Sequence, residues 1–212
     1  MRFPTPTLGL LLLPVLAATL HARIGESQDE FERRLFQPNV GKFALRERGL
    51  DPFQEAEQLR QQPFHTVRAR FPEDLRERKY WKSAVPNVLS NDNGWFVHVF
   101  YQDGVSVMEA YQRVGEPLNQ FEIQNILAVN QGRSQWREVE IDAVDTAIGG
   151  NFQLVDDSRR ALRRGDWLVV FSGDFDRGIK ARILAGEAAS AASQAERRRR
   201  QMETAPGSTA GF

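Results

Sequence analysis

The sequence predicts an α+β protein: two related helix–strand units sharing an antiparallel sheet, with a helical elaboration and a C-terminal Ala/Arg-rich helix. Three observations carry this expectation. RIGESQDEFE (residues 23–32) and RVGEPLNQFE (residues 113–122) share Arg, Gly, Glu, Phe and Glu in register. WFVHVFYQDGVSVMEAYQ (residues 95–112) places Asp103-Gly104 between two β-rich runs, a strong hairpin signature. From residue 136 onward, short apolar segments alternate with Asp/Gly/Ser turns, the pattern of a meander.

Residues 1–22 read as an export signal. Arg2 supplies a positive start, and residues 8–20 (LGLLLLPVLAATL) form a 13-residue apolar run broken by Pro14. A membrane span needs about 20 apolar residues, so this run has secretory length. Small residues follow at Ala17, Ala18 and Ala22, and cleavage is expected after Ala22, with Ala18 as the second choice. The expected location is periplasmic or extracellular, with no transmembrane segment after cleavage.

The first unit covers residues 23–112. Ser27 and Glu30 form a capping box, each able to satisfy the other's backbone amide. Phe31 and Leu35 then share a helix face, and Gln37-Pro38 stops the helix. Residues 38–94 are an elaboration. In it, residues 53–62 read as a helix started by Asp51-Pro52. Residues 64–71 (FHTVRARF) alternate like a strand, and residues 72–82 (PEDLRERKYWK) read as a helix with Pro72 at its first position. A two-residue Asp103-Gly104 turn fixes the hairpin register. Trp95, Val97, Val99 and Tyr101 then share a face with Gln112, Ala110, Met108 and Ser106. Phe96, His98, Phe100 and Gln102 share the other with Tyr111, Glu109, Val107 and Val105.

The second unit covers residues 113–184. Asn119 and Glu122 repeat the helix start, Ile123, Ile126 and Leu127 form the apolar stripe, and Gly132 ends it. Gly25 and Gly115 allow a tight approach before each helix. Glu26 and Glu116 sit near helix N-termini, where the dipole favours negative charge. Strands are expected over residues 136–141, 152–155, 159–163 and 167–171, with WLVVF at the centre of the sheet. Residues 185–200 read as a solvated helix, and residues 202–212 as a disordered Gly/Pro/Ser/Thr tail.

The chemistry available is narrow. Acidic and basic residues balance at 28 each, so no global field points to nucleic acid, and none is expected as a partner. There is no cysteine, which removes disulfides, thiol catalysis and thiolate metal sites. Only His65 and His98 follow the signal, without a metal-ligand spacing. Asp174 and Asp176 in SGDFDRG lack the later ligands of a calcium loop and read as a polar turn. Arg164-Gly165-Asp166 reads as a turn, and the Arg197–Arg200 cluster as a solvated helix end. No catalytic, cofactor or metal residues are assigned. The candidate partner-binding face is Phe96, His98, Phe100, Glu109 and Tyr111, whose fate depends on whether Tyr80-Trp81 and the elaboration cover it.

The segment PLNQFEIQNILAVNQGRSQW (residues 117–136) resembles a stretch of small secreted bacterial proteins. These share the ARIGE-like mature start (Ala22 to Glu26), the Asp103-Gly104 hairpin, an Asn130-x-Gly132 element before Trp136, and a Gly211-Phe212 end. The likeness covers residues 22–36 and 95–175 and implies export and a fold. In shape, helices on an antiparallel sheet also resemble the small lipoprotein of the outer-membrane β-barrel assembly machinery and the β-lactamase-inhibitor-like fold, without the lipid-bearing cysteine. The expected function is an exported non-enzymatic module that binds a protein or an envelope polymer. The alternative is a carboxylate hydrolase of envelope glycans, a reaction that Asp and Glu can perform alone.

Overall fold

In the computed structural model, the described residues are 23–35, 43–45, 61–83, 94–140 and 145–204. The export signal (1–22), nearly all of the expected helix at 53–62 and the tail beyond 204 lie outside them. Eight strands form one antiparallel sheet: β1 (Phe43–Leu45), β2 (Arg76–Ser83), β3 (Gly94–Gln102), β4 (Val105–Val114), β5 (Trp136–Glu138), β6 (Phe152–Leu154), β7 (Arg159–Arg164) and β8 (Trp167–Ser172). Their spatial order is β1-β2-β3-β4-β8-β7-β6-β5. The last strand of each sequence half therefore meets the other at the centre, with Met108 opposite Phe171 and Gln112 opposite Trp167. As its apolar run WLVVF predicts, β8 is central and buried.

Both faces of the sheet are covered. On one lie α1 (Gln28–Leu35) and α2 (Gln120–Val129), burying Phe31, Leu35, Ile123, Ile126 and Leu127 against Tyr80, Val97, Tyr111, Leu168 and Val170. On the other, residues 61–75 and the start of α3 (Gly173–Thr204) bury Phe64, Val67, Phe175 and Ile179 against Phe100, Met108, Trp167, Val169 and Phe171. The sheet thus has two apolar cores, one per face.

Both helix starts are capped as their sequences predict. Glu30 Oε2 accepts from Ser27 N–H at 2.9 Å and Ser27 Oγ from Glu30 N–H at 3.3 Å. Glu122 Oε2 accepts from Asn119 N–H at 3.1 Å and Asn119 Oδ1 from Glu122 N–H at 2.9 Å. Gly25 and Gly115 precede them with φ of +100° and +84°, which disfavours any side chain. The literal register of the two phrases does not survive into the helices. It sets Phe31 against Phe121, yet Phe31 is fully buried and Phe121 is 71% exposed. Aligning the caps instead sets Phe31 against Ile123 and Leu35 against Leu127, all buried, with Pro117-Leu118 as the inserted pair.

Three expectations are corrected. Residues 72–82 are not a helix: RERKYWKS is β2, which pairs along its full length with β3. Its Arg, Glu and Lys favour helices in isolation, but Tyr80 faces one core and Trp81 the other side, a period of two that only a strand satisfies. Residues 64–71 are not a strand but turns and a 3-10 helix at Arg68–Arg70. Phe64 and Val67 point into the same core from positions i and i+3. The C-terminal helix starts at Gly173 rather than at 185, so a unit boundary at 184 falls inside it. SGDFDRG is its first turns, where Asp176 is buried and accepts from Ala147 and Ile148 N–H at 3.0 and 2.9 Å and from Arg160 at 2.8 Å.

Candidate functional site

The hairpin register decides where the candidate face goes. Gln102 pairs with Val105 and Tyr101 with Ser106, as a two-residue turn requires. The ladder then shifts between Tyr101 and Phe100, and Phe100 pairs with Met108, Val99 with Glu109 and Val97 with Tyr111. Val107 is the extra residue of a β-bulge, and a one-residue slip turns every later side chain to the opposite face. Phe96, His98 and Phe100 therefore do not share a face with Glu109 and Tyr111. His98 and Glu109 make no pair.

Phe100 is buried on the face covered by residues 61–75, with Phe64 edge-on at 5.4 Å and Phe71 at 5.7 Å between ring centroids. Phe96 packs on Trp81 with centroids 4.4 Å apart. Phe100 is therefore core, while Phe96 stays partly exposed beside Trp81. His98 Nδ1 lies 2.8 Å from Glu77 Oε1, while Arg68 donates to Glu77 Oε2 at 2.5 Å. Burial works to raise Glu77, but the bonds from His98 and Arg68 outweigh it and hold the carboxylate at about 2. Burial pushes the His98 imidazole below its ordinary value despite Glu77. Glu77 escaped the sequence reading because its segment was assigned to a helix.

Glu109 and Tyr111 lie instead beneath the two helices. Glu109 is wholly buried, and burial lifts its carboxyl above the ordinary range even though the Tyr111 hydroxyl donates to Oε2. Its other oxygen has no hydrogen-bond partner among the described residues. Arg23 donates to the Tyr111 hydroxyl at 3.3 Å, with its guanidinium 6.0 Å from the ring centroid. Residues 23 and 24 are pinned here. Ile24 N–H donates to the buried Asn130 Oδ1 at 3.1 Å, and Arg159 donates to the Asn130 and Ile24 carbonyls at 2.9 and 3.3 Å.

Above Tyr111, a cleft of about 430 Å³ runs between α1 and α2. Trp95, Val97 and Tyr111 form its floor; Phe31, Arg34 and Leu35 line one wall; Glu122, Asn125 and Ile126 line the other. Its charges are held in place. Glu26 accepts twice from Arg34, at 2.6 and 3.3 Å. Arg113 Nε lies 3.4 Å from Glu122 and its guanidinium 5.4 Å from the Trp95 ring centroid. The repeated R-x-G-E phrase was the available signal: Arg23, Glu26 and Arg113 all belong to it.

The remaining motifs separate. Arg164-Gly165-Asp166 is the β7–β8 turn, bordering with His65 and Gln112 a polar pocket of about 350 Å³ on the opposite face. Arg199 and Arg200 bond Glu196 on the exposed half of α3, at 3.2 and 3.0 Å. Among the described residues no group of three or more His, Asp or Glu could hold a metal ion, and no helix is long and apolar enough to cross a membrane. No protein-family model matches the chain, and no curated protein or solved structure matches it significantly.

Proposed function

We propose that the chain is an exported, non-enzymatic binding module built from two related helix–strand units, and that the cleft between α1 and α2 receives the partner. Each unit runs helix then four strands, each helix begins with a Ser/Asn–Glu capping box after R-x-G-E, and the last strands meet at the sheet centre. A duplicated α-β-β-β-β unit accounts for the repeated phrase, its two-residue slip and the mirrored strand order. The observation that carries the binding reading is the cleft itself: apolar and aromatic along its floor, with fixed charges at its rim. Apolar side chains of a protein partner suit that floor, and the paired Arg34–Glu26 and Arg113–Glu122 suit its polar flanks. An envelope polymer is the second occupant of the same class.

A carboxylate hydrolase of envelope glycans requires two carboxylates flanking the scissile bond. Among the described lining residues only Glu122 carries one, and Glu109 sits behind Tyr111. The test uses Asn125, an exposed lining residue. The mature chain beginning at Arg23 and its Asn125→Trp variant are incubated with solubilised envelope of the source cell. Loss of a specific partner at unchanged circular dichroism supports the cleft. Equal capture by both chains overturns it.

A further inference from the structure

The opposite face carries a second site, independent of the cleft. His98 is 8% exposed, on β3, and its Nδ1 is engaged by Glu77. Because Glu77 is an ionised acceptor also held by Arg68, the proton belongs on Nδ1, and the hydrogen-bond network assigns Nε2 as a bare acceptor. A carboxylate behind the imidazole fixes both tautomer and ring orientation. The ring borders a small cavity of about 40 Å³ with Gln61, Gln62, Phe96, Gln112 and Trp167. That cavity shares Gln61, Gln62, Gln112 and Trp167 with the polar pocket of about 350 Å³ that opens past His65 and the β7–β8 turn.

The lining is specific in kind. Gln61, Gln62 and Gln112 bring three carboxamides, each with donor and acceptor atoms. Gln62 is 3% exposed, and its Oε1 already accepts from Arg68 at 3.2 Å, which orients its amide. Arg164 and Asp166 place one cation and one anion at the mouth, so the pocket has no excess charge to favour an ion. The His98 and Trp167 rings lie 5.5 Å apart and give the adjoining small cavity an aromatic wall. Alternating hydroxyl donors and acceptors around a small apolar ring face are the chemistry that this lining complements, and the volume falls within the range of small-ligand pockets.

We propose that this pocket binds a neutral saccharide, with His98 Nε2 accepting a hydrogen bond from a sugar hydroxyl and the glutamine carboxamides bonding its neighbours. Positioning of His98 by Glu77 and Arg68 is part of the site. The proposal does not rest on the α1/α2 cleft.

The test titrates the mature chain separately with maltotriose, cellotriose and chitotriose, reading imidazole ¹H–¹⁵N spectra and tryptophan fluorescence. The free protein is expected to show His98 as the Nδ1–H tautomer. At least one trisaccharide is expected to shift Nε2 saturably, and Gln112→Leu and His98→Gln are each expected to weaken it about five- to tenfold, the scale of one hydrogen bond. Gln112 is half-buried, so that variant keeps the test valid if His98→Gln unfolds. The Asn125→Trp variant must bind unchanged. Absence of any shift at His98 with all three sugars, binding abolished by Asn125→Trp, or an Nε2–H tautomer in the free protein overturns the proposal. Saturation of His98 by inorganic phosphate in preference to the sugars overturns it as well.

Discussion

The two faces of the sheet each hold a glutamate, Glu77 half-buried on one and Glu109 wholly buried on the other, and treat it in opposite ways. Under residues 61–75, Glu77 meets a guanidinium and an imidazole N–H, so both oxygens have donors and the group stays ionised to about 2. Under α1 and α2, Glu109 meets one hydroxyl, its other oxygen has no partner among the described residues, and burial lifts it above the ordinary range. Depth and the charge of the donors act together here: the deeper group has the weaker donor. The consequence differs for each face. The charged group ties 61–75 onto the sheet and aims His98. The raised Glu109 carboxyl weakens one of the two carboxylate charges, Glu109 and Glu26, that act on Arg23 beside Tyr111.

The largest effect separating the faces is expected from Glu77→Gln. It leaves Arg68 and His98 facing a neutral amide in a mostly buried place, at a cost of about 2–3 kcal/mol in urea unfolding at pH 7. A cost below about 0.5 kcal/mol would show that the pair does not hold the segment. The same comparison has a pH signature. Glu77 has a folded value below its ordinary 4.5, so its contribution is fully present above about pH 4.5 and fades as pH falls toward 2. Wild type and Glu77→Gln should therefore converge in stability on acidification.

Glu109→Gln should behave in the reverse sense. A raised carboxyl favours folding below its ordinary value and loses that contribution as pH rises. The variant is expected within about 1 kcal/mol of wild type below pH 4.5 and to gain on it as pH rises above that value. A widening deficit over that range would mean that Glu109 is an ionised, paired group. Comparable in size is Tyr111→Phe, which removes the donor to Glu109 and costs about 1 kcal/mol. It should also raise Glu109 further, since that hydrogen bond is the largest effect opposing burial, ahead of the Arg23 and Arg34 charges.

The comparison also marks where sequence was informative. The Asp103-Gly104 turn, both capping boxes and the central WLVVF strand were legible because each rests on local rules: a turn type, a reciprocal cap, an apolar run. The environments of Glu77 and Glu109 were not. Glu77 was hidden because β2 is written in helix-forming residues, and only pairing with β3 makes it a strand. Glu109 was placed on the wrong face because Val107 bulges, and nothing in VSVMEAYQ distinguishes a bulged from a regular strand. Of the five candidate face residues, Phe100 proved core, Phe96 and His98 stayed on its side, and Glu109 and Tyr111 went beneath the helices. The cleft residues Arg34, Trp95, Glu122 and Asn125 were unreadable as a group, since α1 and α2 meet only across the sheet.

The most direct test of the two-faced arrangement is a ¹³C NMR titration of the glutamate side-chain carboxyls in the mature chain, with Glu77 and Glu109 assigned by the two Gln variants. The account predicts that Glu77 stays ionised down to about pH 2 and that Glu109 still carries its proton above pH 4.5. A Glu109 that ionises at or below 4.5 would contradict it, because burial would then not govern the carboxyl beneath the cleft.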